Sequence, residues 1–338
     1  MHWFQSYLSN RKQYVSYNGI SSSIKTLNCG VPQGSILGPL LFLVYINDLC
    51  SICKYTTPIL FADDTNLFSS GKDLQIMAQN INDELEQISL WLKVNKLSLN
   101  VKKTHYMVFT KRKSRVSNLG ISINNQAIAE VRETKFLGVI IDNQLNWKNH
   151  IAYICGKISR GIGMIIKARS YLNRTGLMSL YHSFIYPYLT YCNQIWGSTY
   201  KTNLHRLTVL QNKAVRIICH ARPRESADPL YNRLGIMKLL DLNSYLIGRF
   251  MYRCHIDAVP EQFALYFTNN SDLHDHVTRT AHHFHAPEVK SDLAKTGIKY
   301  RGAIIWNAIL SNDTNTDVSE AVFKKFLKRL IMIGILPQ

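Results

Sequence analysis

The sequence has 338 residues, 46% hydrophobic and 11% aromatic, enough for a packed core and for two or three domains of ordinary size. Forty Lys and Arg stand against 22 Asp and Glu, and the formal charge of +18 points to a polyanionic partner, nucleic acid first and a membrane surface second. The longest apolar run, LLFLVYI from Leu40 to Ile46, is far short of the roughly 18 residues of a spanning helix; the opening MHWFQSYLSNRKQ lacks a signal peptide's basic-then-apolar order; and seven irregularly spaced cysteines argue against a secreted disulfide framework. The expectation is an intracellular, soluble protein with free thiols and no membrane partner, with KRKSR (Lys111 to Arg115) a weak candidate nuclear address.

In chain order, the first informative stretch is NCGVPQGSILGPLLFLVYINDL, Asn28 to Leu49. Gly30, Pro32 and Gly34 make a constrained turn, and Pro39 suits the first turn of a helix. That helix is apolar nearly all round, which predicts burial. A tight Gly-Gln-Ser turn before it suits close backbone approach to a ligand; the bland alternative is an ordinary turn before a core helix.

PILFADDTNLFSS reads as a β-hairpin with a polar tip. Successive strand side chains point to opposite faces, so Asp63 and Asp64 face one point only if a turn intervenes. Asp63 is then the primary candidate metal ligand, with Asp64 a helper at the tip. Two-metal phosphoryl transfer needs such carboxylates, whereas an adjacent Asp pair is also common in a solvated turn. LQIMAQNINDELEQISLWLKVNKLSLN has helical apolar spacing through Leu74, Met77, Ile81, Leu85, Ile88 and Leu92. KTHYMVFT and KFLGVIID read as strands, with a basic loop, KRKSRVSNLG, after the first.

Charge marks three blocks, 1–142, 143–256 and 257–338. Residues 143–224 hold no acid and 12 Lys or Arg. Three helices are expected from Asn149 to Arg169, Leu177 to Trp196 and Asn203 to Ala221. Their basic residues Lys157, Arg160, Lys213 and Arg216 suit contact with a nucleic-acid backbone, against the alternative of a solvated helical face. The last block offers plausible helices in RGAIIWNAIL and AVFKKFLKRLIMIGIL. CSIC (Cys50, Cys53) lacks a second pair and reads as structural thiols. LHDHVTRTAHHFH gathers His274, His276, His282, His283 and His285 without paired cysteines, so a loop is favoured over a zinc site.

GVPQGSILGPLLF followed by FADD resembles the palm of a reverse transcriptase, most similar to those of non-LTR retrotransposons of the Jockey and related types. NKLSLNVKKTHYMVF is similar to the family's next motif and KFLGVIID to its primer grip. WKNHI, the Tyr171 to Ser198 stretch and IKYRGAIIWNAIL resemble the thumb-side region. The resemblance implies RNA-templated DNA synthesis on an RNA template and DNA primer, with dNTP substrates. It implies that Asp63 and Asp64 bind Mg²⁺ (or Mn²⁺), that Lys103 acts near the leaving pyrophosphate, and that Gln33, Gly34 and Ser35 lie by the nucleotide and template. Phe136, Leu137 and Gly138 would form the primer grip.

The fold class expected is α+β: a partial palm of hairpin plus buried helices over 1–142, an all-α basic thumb-like region over 143–256, and a mostly helical tail over 257–338. One departure stands out. The family's palm takes another Asp upstream of the glycine turn, and residues 1–47 hold no Asp or Glu. With the fingers also absent, a polymerase fragment inactive alone is expected; the alternative is a non-catalytic nucleic-acid-binding relic.

Overall fold

A computed structural model describes residues 2–32, 34–110, 119–263, 266–273, 280–281, 283–312, 316 and 318–337. Gln33, the Lys111–Arg115 run and His274, His276 and His282 lie outside the described residues. The chain is α+β and divides into two compact units, Met1–Arg132 and Glu133–Gln338. Charge and packing thus partition it differently: charge changes near 142 and 256, compactness after Arg132. Among the described residues every sheet is a single pair of strands.

In the first unit, Thr57–Phe61 and Asp64–Phe68 pair antiparallel, with Phe61 opposite Asp64. Helix Leu74–Val94 follows, its first turn capped by the Asp73 carboxylate, which accepts from the amides of Gln75 and Ile76 at 2.8 and 3.2 Å. The helix divides its apolar stripe between two small cores. Ala78 and Leu85 pack with Ile121, Ile123 and Ile128, while Ile88 packs with Ile46 and Leu49. The KTHYMVFT strand is shorter than expected: only His105–Tyr106 is paired, in parallel with Ala129–Glu130.

Helix Leu37–Ile46 corrects a second expectation. Only Gly38 and Ile46 are buried; Leu40, Leu43, Val44 and Tyr45 are exposed, Val44 by 70%. One face finds partners in its own unit and the remaining apolar faces do not, so the all-round apolar pattern does not produce burial here.

The second unit opens with a hairpin, Glu133–Phe136 and Val139–Asp142, whose turn is Leu137–Gly138. Both turn residues have positive φ, +44 and +86, as a two-residue hairpin requires. Helices Lys148–Ala168, Lys201–Ile218, Leu239–His255, Ile298–Leu310 and Glu320–Met332 enclose one core, with Trp196, Trp306, Tyr181 and Phe323 among its fully buried side chains. The helix expected from Leu177 to Trp196 is three: Arg174–Phe184, Tyr186–Thr190 and Asn193–Trp196. Pro187 starts the second, having no amide to continue the first, and Cys192 at φ +50 turns the chain before the third. Among the described residues no helix is long and apolar enough to cross a membrane, and all seven cysteines are unpaired.

Candidate active site and nucleic-acid interface

The tip of the first hairpin is Ala62–Asp63, and Asp64 opens the return strand. Asp63, not Asp64, therefore sits on the tip. Ala62 holds φ +51, a left-handed conformation that costs a residue with a Cβ about 1–2 kcal/mol. Both carboxylates are exposed. In water, unit charges a few ångströms apart repel by about 1 kcal/mol, so the pair persists without a cation.

The hairpin is anchored from beneath by Glu84 on helix 74–94. Its carboxylate is buried and accepts from the amides of Lys54 and Tyr55 at 2.6 Å each, from that of Thr56 at 3.3 Å, and from the Thr56 hydroxyl. Burial alone raises the pKa of this group, yet the bonds from the Thr56 hydroxyl and the three amides together hold it below the usual carboxylate value. Glu84 thus serves the hairpin as a structural anion and is not free to join Asp63 and Asp64.

The glycine turn is built around two other contacts. Arg11 donates through Nη2 to the carbonyls of Gly30 and Cys29 at 2.8 and 3.3 Å, pinning the loop. The Ser35 hydroxyl donates to the Pro32 carbonyl at 2.8 Å and accepts from the Gly38 amide at 3.0 Å, so it is occupied in starting helix 37–46. Gly34 has φ +81, and a Cβ there would meet nothing within 4 Å. Its backbone conformation, not protein crowding, requires glycine. Lys103 ends a 3₁₀ turn, Val101–Lys103, is exposed, and has no ion-pair partner among the described residues.

Asp63 and Asp64 are hard oxygen donors, and Mg²⁺ is commonly held by one or two carboxylates together with water and phosphate oxygens. In chemistry the tip suits that ion. Among the described residues, however, no group of three His, Cys, Asp or Glu is placed to share a metal.

In the second unit the Leu137–Gly138 turn lies under Tyr191, whose hydroxyl donates to the Leu137 carbonyl at 2.5 Å. A Cβ on Gly138 would come within 3.3 Å of that ring. Of the four basic residues singled out, Lys157 lies 5.4 Å from the Tyr153 ring centre, Arg160 donates to the Gly156 carbonyl of its own helix, and Arg216 donates to the Glu225 carbonyl at 2.6 Å. Lys213 is exposed. The ion pairs among the described residues join Lys238 to Asp228, Arg249 and Lys324 to Glu320, and Lys295 to Asp292, all outside the acid-free stretch 143–224.

Sequence reasoning passed over Arg11 and Tyr191, and read Glu84 only as a helix carboxylate that would have to leave its helix to reach a metal. Glu84 had a signal: it lies three residues after Ile81 and four before Ile88, on the apolar face, where a carboxylate needs donors. Arg11 and Tyr191 had none, because their partners are set by tertiary contacts.

The glycine turn, the acidic hairpin, Lys103 and the Leu137–Gly138 turn all fall within residues 1–141, which match the family described as reverse transcriptase (RNA-dependent DNA polymerase). That stretch resembles reverse transcriptases, and the chain is similar to the polymerases of non-LTR retrotransposons. It is 27% identical over 296 residues to the RNA-directed DNA polymerase from mobile element jockey of Drosophila melanogaster, covering 83% of this chain and 32% of that protein. It is also 27% identical to a probable RNA-directed DNA polymerase from transposon X-element of the same fly, over 63% of this chain and 24% of that protein. Likeness to the Pol polyprotein of retrotransposable element R1 from Bradysia coprophila is 24%, over 64% and 22%. The chain thus spans a third or less of the length of these relatives, and no solved structure matches it.

Proposed function

We propose that this chain is part of an RNA-directed DNA polymerase that extends a DNA primer on an RNA template. One conjunction carries the reading: within residues 1–141 a glycine turn, pinned by Arg11, precedes a hairpin that presents Asp63 and Asp64 at its tip. Asp63 and Asp64 hold the metal side of the site, where bound Mg²⁺ (or Mn²⁺) would neutralise triphosphate charge and lower the pKa of the primer hydroxyl. The positive φ of Gly34 turns the loop toward the nucleotide and template with no side chain in the way, beside Gln33 and Ser35. Lys103 carries an unpaired ammonium to the leaving pyrophosphate. The Phe136–Gly138 turn steadies the primer, and Lys157, Arg160, Lys213 and Arg216 hold phosphates.

Two carboxylates form an incomplete set, because shared carboxylates from a second direction are what clamp two ions. Extension of a DNA primer on an RNA template is therefore measured for residues 1–338 and for a chimera preceded by the upstream segment of a jockey-type polymerase. The chimera should extend the primer with Mg²⁺, residues 1–338 should not, and Asp63→Ala in the chimera should abolish extension. Extension by residues 1–338 alone, lost on Asp63→Ala, would show that the pair suffices; an inert chimera would count against the polymerase reading. The second reading, a nucleic-acid binder without catalysis, is favoured by the acid-free stretch 143–224 and its 12 Lys and Arg.

A further inference from the structure

The hairpin that opens the second unit is tied down along its length. At its root Asn149 donates to the Glu133 carboxylate, and the buried Asp142 carboxylate accepts from the amides of Gln144, Asn146 and Trp147 at 3.0, 3.2 and 3.0 Å. In its return strand Val139 is buried and the Ile140 amide donates to His150 Nδ1 at 3.2 Å. The turn itself is the strained part. Leu137 holds φ +44, a left-handed conformation that sets the Cβ of a bulky residue against its own backbone. Such a residue persists where its surroundings over-determine it, and such residues gather where a chain grips a ligand.

Tyr191 fixes this turn from 54 residues away. Its hydroxyl donates to the Leu137 carbonyl at 2.5 Å, and its Cε1 lies 3.3 Å from where a Cβ on Gly138 would stand. The tyrosine is in turn held by the core. Its amide donates to the Pro187 carbonyl at 2.9 Å, and its own carbonyl accepts from Nε1 of the buried Trp196 at 2.8 Å. A strap thus runs from a core tryptophan to one strained carbonyl. Tyr191 is nevertheless 52% exposed, so water would replace its hydroxyl on the Leu137 carbonyl at little cost to folding. What the bond sets is the direction of that carbonyl and the course of the turn.

We propose that Tyr191 is a positioning residue for the primer: it acts through the Phe136–Gly138 turn, holding the turn's backbone in the one conformation against which the primer strand lies. The inference rests on the reading above that this turn steadies the primer, and adds the residue that makes the turn rigid enough to do so. A site on a loop is precise only when neighbouring side chains lock it, and here the lock comes from the broken 185–192 segment. Total affinity for nucleic acid is the work of phosphate contacts elsewhere, so loosening the turn misplaces the primer end without releasing the strand.

The test uses residues 1–338 and a DNA primer annealed to a longer RNA template, with 4-thiothymidine as the last primer nucleotide. In the native protein the photocrosslink should map to residues 133–142. Tyr191→Phe keeps the ring over Gly138 and loses the donor. It should lower that crosslink by about 2- to 10-fold, the worth of one hydrogen bond, while total binding by anisotropy and the melting temperature stay at native values. Tyr191→Ala, which also removes the ring, should lower it further. Tyr188→Phe, in the same broken segment, should leave it unchanged. Equal crosslinking by native protein and Tyr191→Phe, or an equal fall in Tyr188→Phe, would overturn the inference and leave the primer reading of the turn intact. A Tyr191→Phe protein that loses melting temperature and total binding together would show a role in folding alone, and would overturn it too. Native crosslinks that map outside 133–142 would overturn the primer reading of the turn and the inference with it, and failure to bind the primer–template at low salt would overturn the nucleic-acid reading beneath both.

Discussion

Replacing Glu84 with alanine removes the acceptor of four hydrogen bonds and leaves their donors at the root of the acidic hairpin. Lys54 and Tyr55 are exposed, so their amides regain water at little cost. Thr56 is 8% exposed, and its amide and hydroxyl do not. Each buried donor left unmatched costs about 1–3 kcal/mol, which puts the loss for the two at about 3 kcal/mol. For a unit of this size that is a fall in melting temperature of order 10 °C. Glu84→Gln, which keeps one acceptor oxygen but sets an NH₂ against the remaining donors, should cost about half as much. The folded pKa of Glu84 is depressed, so its contribution is present above the ordinary carboxylate range, near pH 4.3, and is lost as pH falls through the folded value. The gap between the native protein and Glu84→Gln should therefore narrow in acid. Calorimetry across pH gives the stability, and hydrogen exchange over residues 54–68 gives its location. A Glu84→Ala protein that melts within about 1 kcal/mol of the native one, or leaves exchange in 54–68 unchanged, would refute the anchor.

Reversing Lys157, Arg160, Lys213 and Arg216 to Glu should weaken binding to every nucleic-acid sequence alike, and the native affinity should fall by about 0.9 log unit per log unit of salt for each phosphate neutralised on duplex DNA; fluorescence anisotropy across a salt series reads both. Gly138→Ala places a Cβ at φ +86 and 3.3 Å from Tyr191, and a loss of about 1–2 kcal/mol on thermal melting is expected, against none for Gly163→Ala in open space on helix 148–168. In the active chimera, Gly34→Val should damage nucleotide use more than folding: the positive φ strains valine by a few kcal/mol at most, while a Cβ there meets no protein atom within 4 Å and points into the space a nucleotide would take; KM for dNTP and the melting temperature separate the two.

The elements legible in the sequence are those whose own periodicity was strong enough to set them. Helix 74–94 follows the Leu74–Leu92 stripe, helices 148–168 and 201–218 follow theirs, and the FADD hairpin announces itself by apolar flanks and a polar tip. Helix 37–46 was misjudged because an all-round apolar pattern states what a helix tolerates, and only a partner surface decides what it buries. The break at 185–192 was signalled by Pro187, but the apolar spacing runs through it and masks the stop. At the candidate site the residue types were readable and the placement was not. That Ser35 is tied to helix entry depends on hydrogen bonds across several residues, and the Glu84 anchor depends on chain folded back from thirty residues away.

The acid-free stretch 143–224 also makes the second unit a charged spring. Its 12 cations repel one another with no carboxylate in the stretch to relieve them, and that self-repulsion works against compactness. Added salt screens the repulsion and should stiffen the free unit, while on the proposed nucleic-acid reading the same salt would loosen its hold on a polyanion. The two responses have opposite slopes. A bound strand would therefore do for this unit what a counterion atmosphere does in its absence, and, on that reading, the helices of the stretch should be at their firmest when wrapped in phosphate.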